Sequence, residues 1–266
     1  MAAEPIILFD NGHHKCLMFD SLVTGEGVQS NQFLLVDGEH EALIDPGGDL
    51  TYIPLSVAAS RYLNISDMDY VFASHQDPDI IGSIDRWIVH TRAQIVTSRL
   101  WSRFLPHLAS DYVTKQLGGS VYDRITAVPD AGLNVPFGNS YIQCLPAHFM
   151  HSVGNLHFYD PVSRILFSGD LGASMVAPDD HGPVTDFGKH IPKMVGFHRR
   201  YIASRKVCTL WANMVRTLDV EMIVPQHGKR FEGKETINEF LDWVSDVECG
   251  IDLLNQDAFQ PPVEYA

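Results

Sequence analysis

A chain of 266 residues with 45% hydrophobic and 20% charged residues can bury a large core and has the make-up of an ordinary globular protein. A formal charge of −14 argues against holding DNA or RNA by phosphate neutralisation. No apolar run approaches the roughly 20 residues of a membrane helix, and the opening "MAAEPIILFDNGHHK" has no basic segment before its apolar stretch, so a cytoplasmic protein away from membranes is expected.

The first half reads as short strands parted by turn signals. "PIILFD" and "KCLMFD" flank Asn11-Gly12, and "QFLLVDG" and "EALIDPGG" flank Asp37-Gly38, so two hairpins are expected. "YIPLSVAASRYL" predicts a helix and "DYVFASH" a strand. "IIGSIDRWIVHT" carries a helical stripe of Ile80, Ile81, Ile84, Trp87 and Ile88. "AQIVTS" returns as a strand, and "RLWSRFLPHLASDYV" predicts helical or mixed structure. "VYDRITAVP", "SYIQCLPAH", "NLHFYD" and "RILFSGD" predict four more strands. A helical region is expected over 194–218, a strand in "EMIVPQHG", and a last helix over 234–254. Strands and helices alternating in two blocks predict an α/β protein of αββα layering, two mixed β-sheets flanked by helices. With no linker or fixed-period repeat, one domain is expected over 1–266. Cys16, Cys144, Cys208 and Cys249 are scattered without a CxxC pattern and are read as buried apolar residues.

The chemistry concentrates after predicted strands. "ASHQDPDIIGS" carries His75, Asp77 and Asp79 at alternate positions, with Pro78 and Gly82 turning the chain into a loop. "HFMHS" carries His148 and His151, "LFSGDLG" carries Asp170, and "IVPQHGKR" carries His227. Each alone has an ordinary explanation: a hydrogen-bonded histidine, or an aspartate capping a turn. Carboxylates this close repel unless a cation or proton compensates them. All four motifs in order, each after an apolar strand, point to a metal site. Imidazole and carboxylate donors without thiolate suit iron, manganese or zinc. Carboxylates are hard, anionic donors that stabilise the ferric state, which favours redox chemistry.

The order of "SHQDPD", "HFMHS", "FSGD" and "VPQHG" resembles the metallo-β-lactamase fold, and within it the di-iron branch: flavodiiron proteins and their stand-alone relatives, the oxygen-binding di-iron proteins. Hydrolytic members carry His-x-His-x-Asp-His, whereas the di-iron branch has a carboxylate third, the place of Asp77 here. "GVQSNQFLLVDGEHEALIDPG" is similar to the opening strands of that family. The resemblance runs from about Thr24 to Leu241, a metal core followed by a C-terminal helix and tail over 242–266. It implies two irons cycling between Fe2+ and Fe3+, with manganese or zinc as substitutes. One ion would be held by His75, Asp77 and His151, the other by Asp79 and His227, and Asp170 would bridge both. His151 is preferred to His148 because it precedes Asp170 by the interval the family uses. Two departures stand out: Asp77 is shorter than the usual glutamate, and Ile80 replaces a histidine found in many relatives, leaving the second ion with open positions.

The resemblance implies binding, sensing or reduction of dioxygen or NO. No flavin domain is expected after His227, so reduction would need an external rubredoxin-type or flavin-type donor, and sensing a signalling partner. A homodimer also suits the chain. The alternative is a two-metal phosphodiesterase, for a cyclic dinucleotide for example, with His198, Arg199, Arg200, Arg205 and Lys206 of "FHRRYIASRK" as phosphate partners; a solvated helix face is preferred for those residues. A scaffold with a vestigial site is the third alternative, with the stripe in "LWANMVRTL" serving a partner or the core.

Overall fold

The computed structural model describes residues 4–177, 180 and 182–262. One sheet orders seven strands in sequence: β1 (Ile6–Asp10), β2 (His14–Phe19), β3 (Gln32–Asp37), β4 (His40–Ile44), β5 (Tyr70–Phe72), β6 (Gln94–Ser98) and β7 (Ile125–Val128). The first four pair antiparallel, with short turns between β1 and β2 and between β3 and β4 and a longer loop over 20–31 between β2 and β3, and β4 to β7 run parallel. Parallel pairing needs crossovers. These are α1 (Asp49–Ala59), α2 (Pro78–Ile81), α3 (Ile84–His90), α4 (Arg99–Ser102) and α5 (Asp111–Leu117).

The second sheet holds β8 (Leu133–Phe137), β9 (Ser140–Pro146), β10 (Leu156–Asp160), β11 (Ile165–Phe167), β12 (Met222–Val224) and β13 (Phe231–Glu232), in the order β13-β12-β11-β10-β9-β8. Only β11 and β12 pair parallel, joined across α6 (Phe187–Tyr201) and α7 (Arg205–Val215); α8 (Lys234–Asp246) follows β13. Among the described residues no helix is long and apolar enough to cross a membrane.

The central strands of each sheet, such as β3, β10 and β11, are buried on both faces and are nearly continuous apolar runs, whereas the edge strands β1 and β8 are partly exposed. Between them, Phe33 meets Phe167 at 4.9 Å and Phe72 meets Phe158 at 5.2 Å, ring centre to ring centre. Outside the first sheet, Trp87 and Ile88 of α3 pack with Leu55 on Leu43, Val71 and Ile95. Outside the second, Trp211, Ala212 and Val215 of α7 and Phe240 of α8 cover Leu166 and Ile223. The stripe of "LWANMVRTL" is therefore core, and all four cysteines are buried.

Several expected elements differ. The helix expected over 194–218 starts at Phe187 and breaks at 202–204, where Ala203 N–H donates to Phe149 O (3.2 Å) and Ala203 O accepts from Ile251 N–H (2.9 Å). The last helix stops at Asp246, because Asp252 turns back to accept from Arg205 N–H (2.5 Å) and Cys249 N–H (3.1 Å). In "VYDRITAVP" only Ile125–Val128 is strand; Ser120 and Asp123 cap a 3-10 turn over Val121–Arg124. Strands β8 and β13 were not foreseen. Pro136, which has no N–H to give a ladder, is tolerated because β8 lies at the sheet edge.

Trp211 Nε1–H donates to His157 Nδ1 (2.9 Å), and burial lowers the His157 imidazole to about 3, keeping it neutral. Trp211→Phe leaves that buried nitrogen unpaired. A loss of about 1–3 kcal/mol in denaturant unfolding is expected.

Candidate metal centre

The carboxyl ends of β5, β11 and β12 and the far end of β9 open on one edge of the sandwich, and each delivers its motif there. After β5, Ser74 N–H is fixed by Asp45 (2.7 Å) and His75 Nδ1 lies 2.9 Å from Ser74 Oγ, which aims Nε2 inward. Asp77 occupies the position just before α2 without a capping hydrogen bond from its side chain, and Pro78 suits the helix's first position. The Gln76 amide donates to Asp77 Oδ1 (3.0 Å) and accepts from the Ser152 hydroxyl (2.5 Å), joining this loop to the one that carries His151. His151 has φ +122°, a strained backbone for a residue with a Cβ. Its ring packs on Tyr201 at 5.3 Å and Phe197 at 5.7 Å. Asp170 lies in the turn after β11. His227 follows β12, and its Nδ1–H donates to Gln29 O (2.6 Å), leaving Nε2 free.

The six side chains meet. His151 Nε2 lies 2.8 Å from Asp77 Oδ2, and His75 Nε2 lies 3.8 Å from the same oxygen. Asp170 reaches both halves: Oδ1 is 3.7 Å from His75 Nε2 and 3.4 Å from His227 Nε2, and Oδ2 is 3.8 Å from His151 Nε2. His227 Nε2 is 3.5 Å from Asp79 Oδ2. His75, Asp77, His151 and Asp170 form a group whose donor atoms all lie within 4.8 Å of one another, with Asp79 and His227 adjoining through Asp170.

Two observations test whether cations fit. His75 Nε2 and Asp170 Oδ1 are buried and have no hydrogen-bond partner, an arrangement costly in a protein interior and relieved by an ion. Separations of 3.4–3.8 Å between donors are those that bonds of about 2.0–2.2 Å around a shared ion produce. Burial alone would raise the Asp170 carboxyl, but His227, His75 and His151 hold it well below the ordinary range. Burial would lower His227, yet Asp170 and Asp79 lift it to about 9. The arrangement therefore favours positive charge among three carboxylates, and can hold one cation in each half.

The site faces an open cavity of about 880 Å³. Apolar side chains such as Val28, Leu50, Met175 and Phe197 form much of its wall, and its described lining includes no Lys or Arg. Arg199, Arg200, Arg205 and Lys206 are exposed and do not line it. His198 is fully buried: it donates from Nδ1 to Met194 O (2.9 Å) and accepts Gly172 N–H at Nε2 (3.0 Å). Ile80 is fully buried in the core cluster that includes Trp87 and does not line the cavity.

His148 stands apart, its Nε2 2.8 Å from Asp130 O. His148→Ala should leave bound metal unchanged by elemental analysis; loss of an ion would reverse the choice between the two histidines. Gln29, Gln76, Phe197 and Tyr201 escaped the sequence reading. A backbone carbonyl 198 positions from its partner leaves no mark in composition or spacing.

Residues 28–228 match the family described as ODP family beta lactamase. Two solved structures of chemotaxis sensor ODP superpose closely. Its apo state from T. denticola is 37% identical, with TM-score 0.83, covering 97% of this chain and 100% of that one. Its peroxy diiron species is 39% identical, with TM-score 0.81, covering 93% and 97%. The rubredoxin oxygen:oxidoreductase of Desulfovibrio gigas shares the fold, with TM-score 0.73 at 15% identity over 91% of this chain and 61% of that one. An uncharacterized protein of Methanocaldococcus jannaschii is 26% identical over 230 residues, 84% of this chain, and the chain spans 54% of that relative's length.

Proposed function

The chain belongs to the ODP family of β-lactamase-like proteins, and we propose that it holds a di-iron centre that binds dioxygen and serves as an oxygen sensor. His75, Asp77 and His151 would hold one iron and Asp79 and His227 the other, with Asp170 shared between the two halves. Ferrous iron held by these residues would supply the electrons for binding dioxygen.

The observation that carries the reading is the donor set itself. Three carboxylates and three imidazoles, with no thiolate, meet at the floor of an open, largely apolar cavity. Carboxylates stabilise ferric iron, and the apolar wall suits an uncharged diatomic ligand. The likeness to a chemotaxis sensor whose structures include a peroxy diiron species supports the choice of iron and of sensing. By that likeness the output is a contact with a signalling partner. A steady reductase would need an electron donor docked at the cavity. The phosphodiesterase reading is disfavoured, because the described lining of the cavity offers no Lys or Arg to phosphate oxygens beyond the ions.

Protein loaded with ferrous iron without oxygen, then exposed to air, should develop a visible absorption band that fades on degassing. Protein that keeps two irons yet shows no spectral response to air, or that retains only zinc under every loading, would overturn the proposal.

A further inference from the structure

At the opposite edge of the sandwich is a second cluster, which the centre above does not use. His14 and Cys16 lie two apart on β2 and so share its inward face. Asp160 ends β10, where it pairs with Ile165 at the start of β11, whereas Asp170 lies beyond that strand's far end. All three residues are almost fully buried. His14 Nε2 is 2.7 Å from Asp160 Oδ2, Cys16 Sγ is 3.5 Å from the same oxygen, and Sγ is 3.7 Å from His14 Nε2.

We propose that His14, Cys16 and Asp160 form a site for a divalent cation of the zinc type, separate from the di-iron centre. The triangle of donor atoms encloses a point about 2 Å from each, close to the roughly 2.0–2.3 Å of zinc bonds to nitrogen, oxygen and sulfur. On the other side of the imidazole, His14 Nδ1 is buried without a hydrogen bond and faces Asp37 Oδ1 at 3.5 Å. A carboxylate behind the free nitrogen is the arrangement that orients a metal-binding histidine. Asp160 is held in place by Val162 N–H (3.1 Å) at Oδ1, and at Oδ2 by Ser163 N–H (3.3 Å) and the Ser163 hydroxyl.

Charge balances without rearrangement. One divalent cation enters as two protons leave, that of the Cys16 thiol and the one shared by His14 and Asp160, so the net buried charge is unchanged. Asp37 also contacts the exposed His13 (3.1 Å), which marks the side open to solvent. Because β2 and β10 belong to different sheets, the ion would tie the layers together at the end remote from the iron.

Cobalt(II) is the probe, because only a thiolate ligand gives a sulfur-to-cobalt charge-transfer band and the di-iron centre has no cysteine. The ion is added to the folded full chain and also supplied during refolding, which opens the buried cluster. The expected result is one equivalent of cobalt beyond the two of the di-iron centre, with a near-ultraviolet thiolate band that Cys16→Ala abolishes and Cys144→Ala preserves. If Cys16→Ala does not fold, X-ray absorption of zinc-loaded wild-type protein decides: one sulfur neighbour at about 2.3 Å supports the site, and nitrogen and oxygen neighbours alone overturn it. Absence of the band under both loadings, or its survival in Cys16→Ala, also overturns it. None of these outcomes depends on how the protein responds to dioxygen.

Discussion

Asp170→Ala is expected to strip both ions from the di-iron centre at once. The carboxylate sends Oδ1 between His75 and His227 and Oδ2 toward His151, so it is the one group that faces every histidine of the site. Its loss leaves each half with fewer protein donors and removes the negative charge that offsets two cations. Losing an outer partner of a metal ligand costs about 10–100-fold in affinity; losing a shared ligand should cost more at both positions. Elemental analysis of protein loaded anaerobically with excess ferrous iron and then desalted reads the effect directly. Retention of one firmly held iron would show that Asp170 serves a single ion. Asp170→Asn separates charge from shape, and it too should lose both ions if charge dominates.

Gly228→Ala is expected to remove one ion and spare the other. Gly228 has φ +81°, a conformation costing about 1–2 kcal/mol for a residue with a Cβ. A Cβ there would collide with the Ser174 hydroxyl and carbonyl. Ser174 N–H donates to His227 O (3.1 Å), and the Gly228 carbonyl accepts from Asn31 (3.2 Å), so the turn cannot yield without moving His227. His75, Asp77 and His151 sit on other loops and stay in place. Iron content should fall from two to one, with a loss of about 1–3 kcal/mol in unfolding free energy from the strained turn. An unchanged content of two would mean that His227 is not needed for the second ion.

The meeting of these six side chains was legible because histidines and aspartates placed after strands announce themselves in a chain. An apolar run followed by His75, Asp170 or His227 is a strand end bearing chemistry, whatever the rest of the fold does. The αββα layering was legible for the same reason, since buried strands are apolar throughout. What escaped was set by contacts distant in sequence. The break between α6 and α7 depends on Phe149 and Ile251, and the end of α8 on Asp252 reaching Arg205. The short β13 has too few residues to show a period. The choice of His151 over His148 rested on resemblance, because "HFMHS" offers both. Only the folded chain shows His148 on the Asp130 carbonyl and His151 on Asp77. Likewise Ile80 marks a missing histidine in the sequence, but its place in the core, away from the cavity, is a tertiary fact.

The division of donors between the layers has a mechanical consequence. One half of the sandwich contributes His75, Asp77 and Asp79 through a single loop, and the other contributes His151, Asp170 and His227 through three. Two irons held there would act as rivets through a seam, so a change in their bond lengths on oxidation would pull on both halves together. On the proposed reading, a ligand of two atoms would in this way displace a surface far larger than itself.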